Sequence, residues 1–220
     1  MRPIIIINFK TYKEATGARA VKLAKICQRV ARKTKKNIAV AVQATDIAAV
    51  AKAVSIPVFA QHIDPITYGS DTGHTLPEAV RQAGASGTLI NHSEDHQEPD
   101  EVWKMVAAAK RAKLKTIVCA RTAAEARLLA RSRPDMIAVE PPELIGGKVS
   151  VSTANPHLID QSVKEVHKVA RIPVLTGAGV HNGADVTVSI ALGAKGVLVA
   201  SGVVKSRNPE RVLINLAKGL

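Results

Sequence analysis

Three residues of this 220-residue chain stand out because each breaks or closes a short apolar run with a group that does chemistry. Lys10 follows Ile4-Ile5-Ile6-Ile7 by way of Asn8 and Phe9. His92 follows Thr88-Leu89-Ile90 and Asn91. Glu140 closes Met136-Ile137-Ala138-Val139. A carboxylate, an imidazole and an ammonium group are the base, the hydrogen-bond donor and the counter-charge needed to move a proton beside a carbonyl. Each also has a plainer reading. A strand-end lysine can reach solvent on its aliphatic stem, a histidine can cap a helix or pack in a core, and a strand-end glutamate can sit in a structural ion pair. Glu94 and Asp95 just after His92 suggest a helix start, whose positive end would disfavour imidazolium and leave a neutral ring. Glu140 is costly at the end of an apolar run unless it is paired or used. Beyond it, Pro141-Pro142 stiffens one end of a segment and Gly146-Gly147 loosens the other, a pattern that suits a hinged lid. Two further runs end in Gly177-Ala178-Gly179 and Ala200-Ser201-Gly202, whose small side chains let backbone N–H groups approach an anion such as phosphate.

The elements that must position these residues are legible as an alternation. Eight short runs rich in Ile, Val and Ala cover 4–7, 38–42, 58–60, 88–90, 116–119, 136–139, 173–175 and 196–199. They read as strands buried on both faces. Between them lie amphipathic stretches at 16–35, 99–113, 123–131, 156–169 and 182–192, the first with an apolar stripe of Ala20, Leu23, Ala24, Cys27, Val30 and Ala31. Asn182 is a good N-cap, and Gly193 ends its segment. Strand then helix, repeated eight times, predicts an α/β fold with a closed parallel barrel rather than an open sheet. No linker divides the chain, so residues 1–220 are expected to form a single domain. The stretch 44–57 is short, and 61–76 reads as a long loop, which is usually functional or covered by a partner. If the first strand points Ile4 and Ile6 inward, Asn8 and Lys10 stand at the barrel mouth, where the active sites of such barrels lie.

Composition narrows the partners. Lys and Arg total 31 against 18 Asp and Glu, a formal net charge of +13. That suits an anionic small molecule or nucleic acid. The aromatic residues are Phe9, Tyr12, Phe59, Tyr68 and Trp103, too few for the stacking platforms of a single-strand binder, and the basic residues are scattered, so no nucleic-acid partner is expected. Cys27 and Cys119 make neither a disulfide framework nor a metal-ligand spacing, and Cys119 reads as a buried thiol. Neither metal nor cofactor is expected. The opening Ile run is interrupted at Asn8 and Lys10, too early for a signal peptide, and no apolar run reaches membrane-spanning length; a reducing cytoplasm is expected.

Taken in order, Asn8-Phe9-Lys10-Thr11, Asn91-His92-Ser93-Glu94 and Val139-Glu140-Pro141-Pro142 resemble the three signature segments of the triosephosphate isomerase family. Ala60-Gln61-His62-Ile63-Asp64-Pro65, together with the segment from Glu140 to Gly146, resembles its shorter archaeal-type branch, and the resemblance runs over essentially the whole chain. It implies a (β/α)8 TIM barrel with shortened outer helices. It also implies a cofactor-free isomerase of glycolysis and gluconeogenesis that interconverts dihydroxyacetone phosphate and D-glyceraldehyde 3-phosphate through an enediolate. By the same resemblance Glu140 is the base, His92 polarises the carbonyl and shuttles protons, Lys10 supplies positive charge, and Asn8 orients the substrate. Asn8, Phe9 and Lys10, the lid residues Ile145 and Gly146, and Gly179, Ala200 and Ser201 would bind substrate. The sequence departs from the family in the lid, which has Leu144-Ile145-Gly146-Gly147-Lys148 and no Trp, and in Gly177-Ala178-Gly179, where many members have a Ser. Thr72-Gly73-His74 resembles the family's inserting loop. Members usually carry a Glu at the position of His74 and an Arg at that of Asp95, so the charges are exchanged here, and His74 is expected to meet Asp95 of the partner subunit. A homo-oligomer follows, a dimer at least and, by likeness to other short chains, a homotetramer. The readings left beside this one are a Schiff-base aldolase, which would need an inward lysine where the sixth run ends in Glu140, a catalytically inactive phosphate-binding barrel, and nucleic-acid binding driven by charge.

Overall fold

A strand without a polar side must be covered on both faces, and a parallel sheet wrapped by helices does this. The computed structural model, which describes residues 1–140 and 156–220, has that arrangement. Among the described residues, eight parallel strands close into a barrel in chain order. They are β1 Ile4–Asn8, β2 Asn37–Val42, β3 Val58–Ala60, β4 Gly87–Ile90, β5 Lys115–Ala120, β6 Met136–Val139, β7 Val174–Thr176 and β8 Gly196–Val199. Each lies within one residue of its predicted run at either end. β1 and β8 close the ring, with Ile4 opposite Gly196 and Ile7 opposite Val199.

Helices pack outside: α1 Ala18–Thr34, α2 Ile47–Ala53, α3 Pro77–Gln82, α4 Pro99–Arg111, α5 Ala123–Leu129, α6 Pro156–His167, α7 Gly183–Ala191, α8 Ser201–Val204 and α9 Pro209–Lys218. The stripe predicted on α1 is the face it buries, Ala20, Leu23, Ala24, Cys27 and Val30. Asn182 caps α7 as predicted: its side chain accepts from the N–H groups of Ala184 and Asp185, and the Asp185 carboxylate accepts from the Asn182 N–H. The short stretch 44–57 holds a helical turn at Ala44–Asp46 and the seven-residue α2. Residues 61–76 form a loop, stapled at its base by Asp64 and Thr75, with an exposed tip that includes Tyr68, Thr72 and His74. No helix of the described residues is long and apolar enough to cross a membrane.

Strand alternation divides the core in two. Ile6, Ala39, Phe59, Leu89, Met136 and Leu198 are among the side chains that fill the barrel interior, with Ile4 packed against them. Ile5, Ile7, Val40, Val42, Val118 and Val139 face outward under the helices. Phe59 takes space that Gly87 leaves: a Cβ on Gly87 would lie 2.4 Å from the Phe59 ring. The interior is therefore packed from side to side rather than hollow. Gly196 starts β8 at φ 147, and a Cβ there would come 2.0 Å from the Ile4 carbonyl, so only glycine permits this close approach of β8 to β1.

Candidate active site

The inward face of β1 carries Ile4, Ile6 and then Asn8, which is buried at the end of the strand. The Asn8 Oδ1 accepts hydrogen bonds from the Lys10 N–H at 3.0 Å and from the Gln61 Nε2 at 3.2 Å. Gln61 Nε2 also reaches the Lys10 carbonyl at 3.1 Å and the Ala41 carbonyl at 3.3 Å, so it ties the ends of β1, β2 and β3 together. These bonds hold Lys10 at φ 46, a left-handed backbone that costs a residue with a Cβ about 1–2 kcal/mol. The Lys10 Nζ meets Glu94 Oε1 at 2.7 Å. Phe9 is placed otherwise than expected. Alternation turns its side chain away from Asn8, into the layer under the helices, where it is fully buried and does not line the site.

His92 ends the segment after β4. No helix begins at Glu94: the chain makes a turn, with the Asp95 N–H donating to the His92 carbonyl, and α4 starts only at Pro99. The expected helix dipole is therefore not what keeps the ring neutral. Burial lowers its pKa first, and the nearby Lys10 ammonium lowers it further, while Glu94 and Asp95 pull the other way. The Glu94 N–H donates to His92 Nδ1 at 3.1 Å. Nδ1 is thus the acceptor, and the proton of the neutral ring sits on Nε2. The preceding Asn91, at φ 61, is fastened on both sides: its Nδ2 donates to the Cys119 carbonyl, and its Oδ1 accepts from the Gln97 N–H.

Glu140 follows β6 and is 3% exposed. Its Oε1 lies 3.4 Å from His92 Nε2, and its Oε2 is buried without a hydrogen-bond partner. Burial raises the carboxyl pKa to about 7, against the lowering influences of the Cys119 thiol, the Ser93 N–H and the Lys10 charge. Cys119, from the interior of β5, is pushed well above its ordinary value by burial and by Glu140. Gly177 makes room for the base, since a Cβ there would stand 2.4 Å from the Glu140 Cγ.

Asn8, Lys10, His92 and Glu140 line one cavity of about 500 Å³. Gly179, Ala200 and Ser201 line it too, on the side built by the segments after β7 and β8. All seven lie at the carboxyl ends of the strands. Ile145 and Gly146 fall outside the described residues. Thr72, His74 and Asp95 do not line this cavity. Asp95 accepts from Gln97 and faces His62 Nδ1 at 2.9 Å within the same chain, and the second ring nitrogen of His62 faces Asp64 at 3.1 Å. Gln61, Tyr12 and Glu94 do not stand out as site residues in the sequence; a polar Gln61 directly after the third run is the available signal. Among the described residues no group of three or more His, Cys, Asp or Glu could hold a metal ion.

A buried base facing an N–H donor beside an ammonium group is an arrangement for proton transfer next to a carbonyl, and the small-residue loops line the same cavity. The sequence model of the family described as triosephosphate isomerase matches residues 3–218. The chain belongs to the triosephosphate isomerase family. Archaeal relatives agree. A triosephosphate isomerase of Methanoculleus marisnigri is 46% identical over 215 residues, covering 97% of each chain. That of Methanocaldococcus jannaschii is 44% identical over 216 residues, covering 98% of this chain and 99% of its own. The fold is also that of the triosephosphate isomerase crystal structure from Bartonella henselae, at a TM-score of 0.75 with 20% identity, covering 99% of this chain and 97% of the other. The chain is accordingly a triosephosphate isomerase-type isomerase, and its reaction is the interconversion of dihydroxyacetone phosphate and D-glyceraldehyde 3-phosphate.

Proposed function

We propose that Glu140 is the base of this isomerisation, taking a proton from the carbon beside the substrate carbonyl and returning it to the neighbouring carbon. His92 donates its Nε2–H to the carbonyl oxygen and moves protons between the two oxygens of the enediolate. Lys10 balances the charge that develops there, and Asn8 orients the oxygen end. The observation that carries this reading is the 3.4 Å approach of the His92 Nε2–H to a buried Glu140 whose other oxygen lacks a hydrogen-bond partner. A carboxylate with raised pKa beside a neutral imidazole is the pairing that enolisation at neutral pH requires, a general rule drawn in part from this same enzyme family.

The substrate's phosphate would lie on Gly179, Ala200 and Ser201, small residues lining the cavity whose backbone N–H groups an anion can approach. Ile145 and Gly146 would complete the site as part of a lid that excludes water and protects the enediolate. Residues 1–220 act as one domain in the cytoplasm, without metal, cofactor or nucleic-acid partner, and assemble as a dimer at least, with a tetramer expected. The exposed loop tip supports assembly: Thr72 would reach a neighbouring site, and His74 would meet Asp95 of the partner subunit. The decisive test is a coupled assay of triose phosphate interconversion on the parent and on Glu140→Gln. Turnover in the parent with a loss of at least about a thousandfold in the variant is expected; equal rates would remove Glu140 from the mechanism.

A further inference from the structure

The cavity has two chemically different ends. Of the ionisable side chains that line it among the described residues, Lys10, Tyr12, His92, Glu94 and Glu140 come from the segments after β1, β4 and β6. His181 alone comes from the end built by the segments after β7 and β8, beside Gly179, Ala200 and Ser201. At the first end Lys10 pairs with Glu94 at 2.7 Å, and burial keeps His92 towards neutrality.

His181 is an exposed loop residue held by a rigid support. Its N–H donates to Asp185 Oδ2 at 2.8 Å, and the Asn182 N–H donates to the same oxygen at 3.1 Å. The helix that carries Asp185 is itself seated: the Gly183 N–H donates to Asn215 Oδ1 at 2.8 Å, and a Cβ on Gly183 would come 2.4 Å from the Asn215 carbonyl. The Cα of His181 thus keeps a fixed place at the cavity rim. An imidazole there carries at least one N–H donor in either protonation state and a positive charge in one of them.

We propose that His181 is a binding residue for the anionic end of the substrate, adding an imidazole donor beside the backbone N–H groups of the small-residue segments. The inference rests on the reading that the segments after β7 and β8 hold the phosphate. Inorganic phosphate is the probe, its inhibition constant measured in the isomerase assay for the parent and for His181→Ala, His181→Glu, His181→Lys and Ser201→Glu, with melting temperatures recorded alongside. His181→Ala is expected to weaken phosphate about threefold to tenfold and to raise KM in step, with kcat within about threefold of the parent. His181→Glu weakens it further, and His181→Lys matches or tightens it. Weakening that is the same in all three His181 variants, Lys included, would mark a structural residue and overturn the proposal. So would inhibition constants unchanged in Ala and Glu while Ser201→Glu still weakens phosphate. If Ser201→Glu is also without effect, the phosphate subsite itself has been misplaced.

Discussion

The proton on Glu140 is the first quantity to follow at the scale of single residues. Its carboxyl is buried among apolar strand ends, and its pKa rises to about 7 from 4.5. A carboxyl that binds protons more tightly folded than unfolded destabilises the fold at high pH: the cost grows as pH rises from about 4.5 to about 7 and stays in full above that. For catalysis the sign is the reverse, because only the ionised base takes a proton. We predict that kcat/KM climbs by close to tenfold per unit from pH 5 towards 7 and levels off above; a profile flat from pH 5 to pH 9 would mean that the base is already ionised throughout. Lys10, His92 and Glu140 are legible in the sequence because each is a polar group set against an apolar run. Their surroundings are not. Phe9 sits between two site residues in sequence yet faces the other side of the strand. Gln61 and Cys119 act on Asn8 and Glu140, residues 53 and 21 positions away, and such contacts exist only once the barrel is closed.

At the scale of elements, the site depends on how closely β6 and β7 approach. The Gly177 N–H donates to the Val139 carbonyl at 2.8 Å, and the added Cβ of an alanine would lie 2.4 Å from the Glu140 Cγ and 3.1 Å from the Val139 carbonyl. Gly177→Ala should displace the carboxylate without unmaking the barrel. The expected result is a fall in kcat of about a hundredfold with a circular dichroism spectrum like that of the parent; full activity would show that Glu140 has more room than this packing allows. All eight strands are readable from sequence because burial on both faces leaves an uninterrupted apolar run. Helices are less so. α3 and α8 have six and four residues, too few for a 3.6-residue period to show. α9 carries a cap at Asn208, a first-turn Pro209 and a buried stripe of Leu213, Leu216 and Ala217, but a reading led by the apolar runs and the stretches between them stops at the last run. The acidic pair after His92 resembles a helix start, but those carboxylates are used elsewhere: Glu94 on Lys10, Asp95 on His62.

For the whole molecule, the excess of 31 basic over 18 acidic residues sets a positive field around a cavity that receives a phosphorylated substrate. Such a field draws anions inward and fades as salt shortens its range. We predict that kcat/KM falls severalfold between about 20 mM and 300 mM salt while kcat holds; equal losses in both, or none, would show that the charge serves something other than substrate capture. The packed interior has a different consequence. With Phe59 seated over Gly87 and the core filled from strand to strand, the site has a floor and no passage through the barrel beneath it among the described residues. A molecule of product must leave on the face of the barrel at which its successor arrives. Traffic in the two directions therefore shares one face of the barrel, and crowding by product is written into the architecture before any rate is considered.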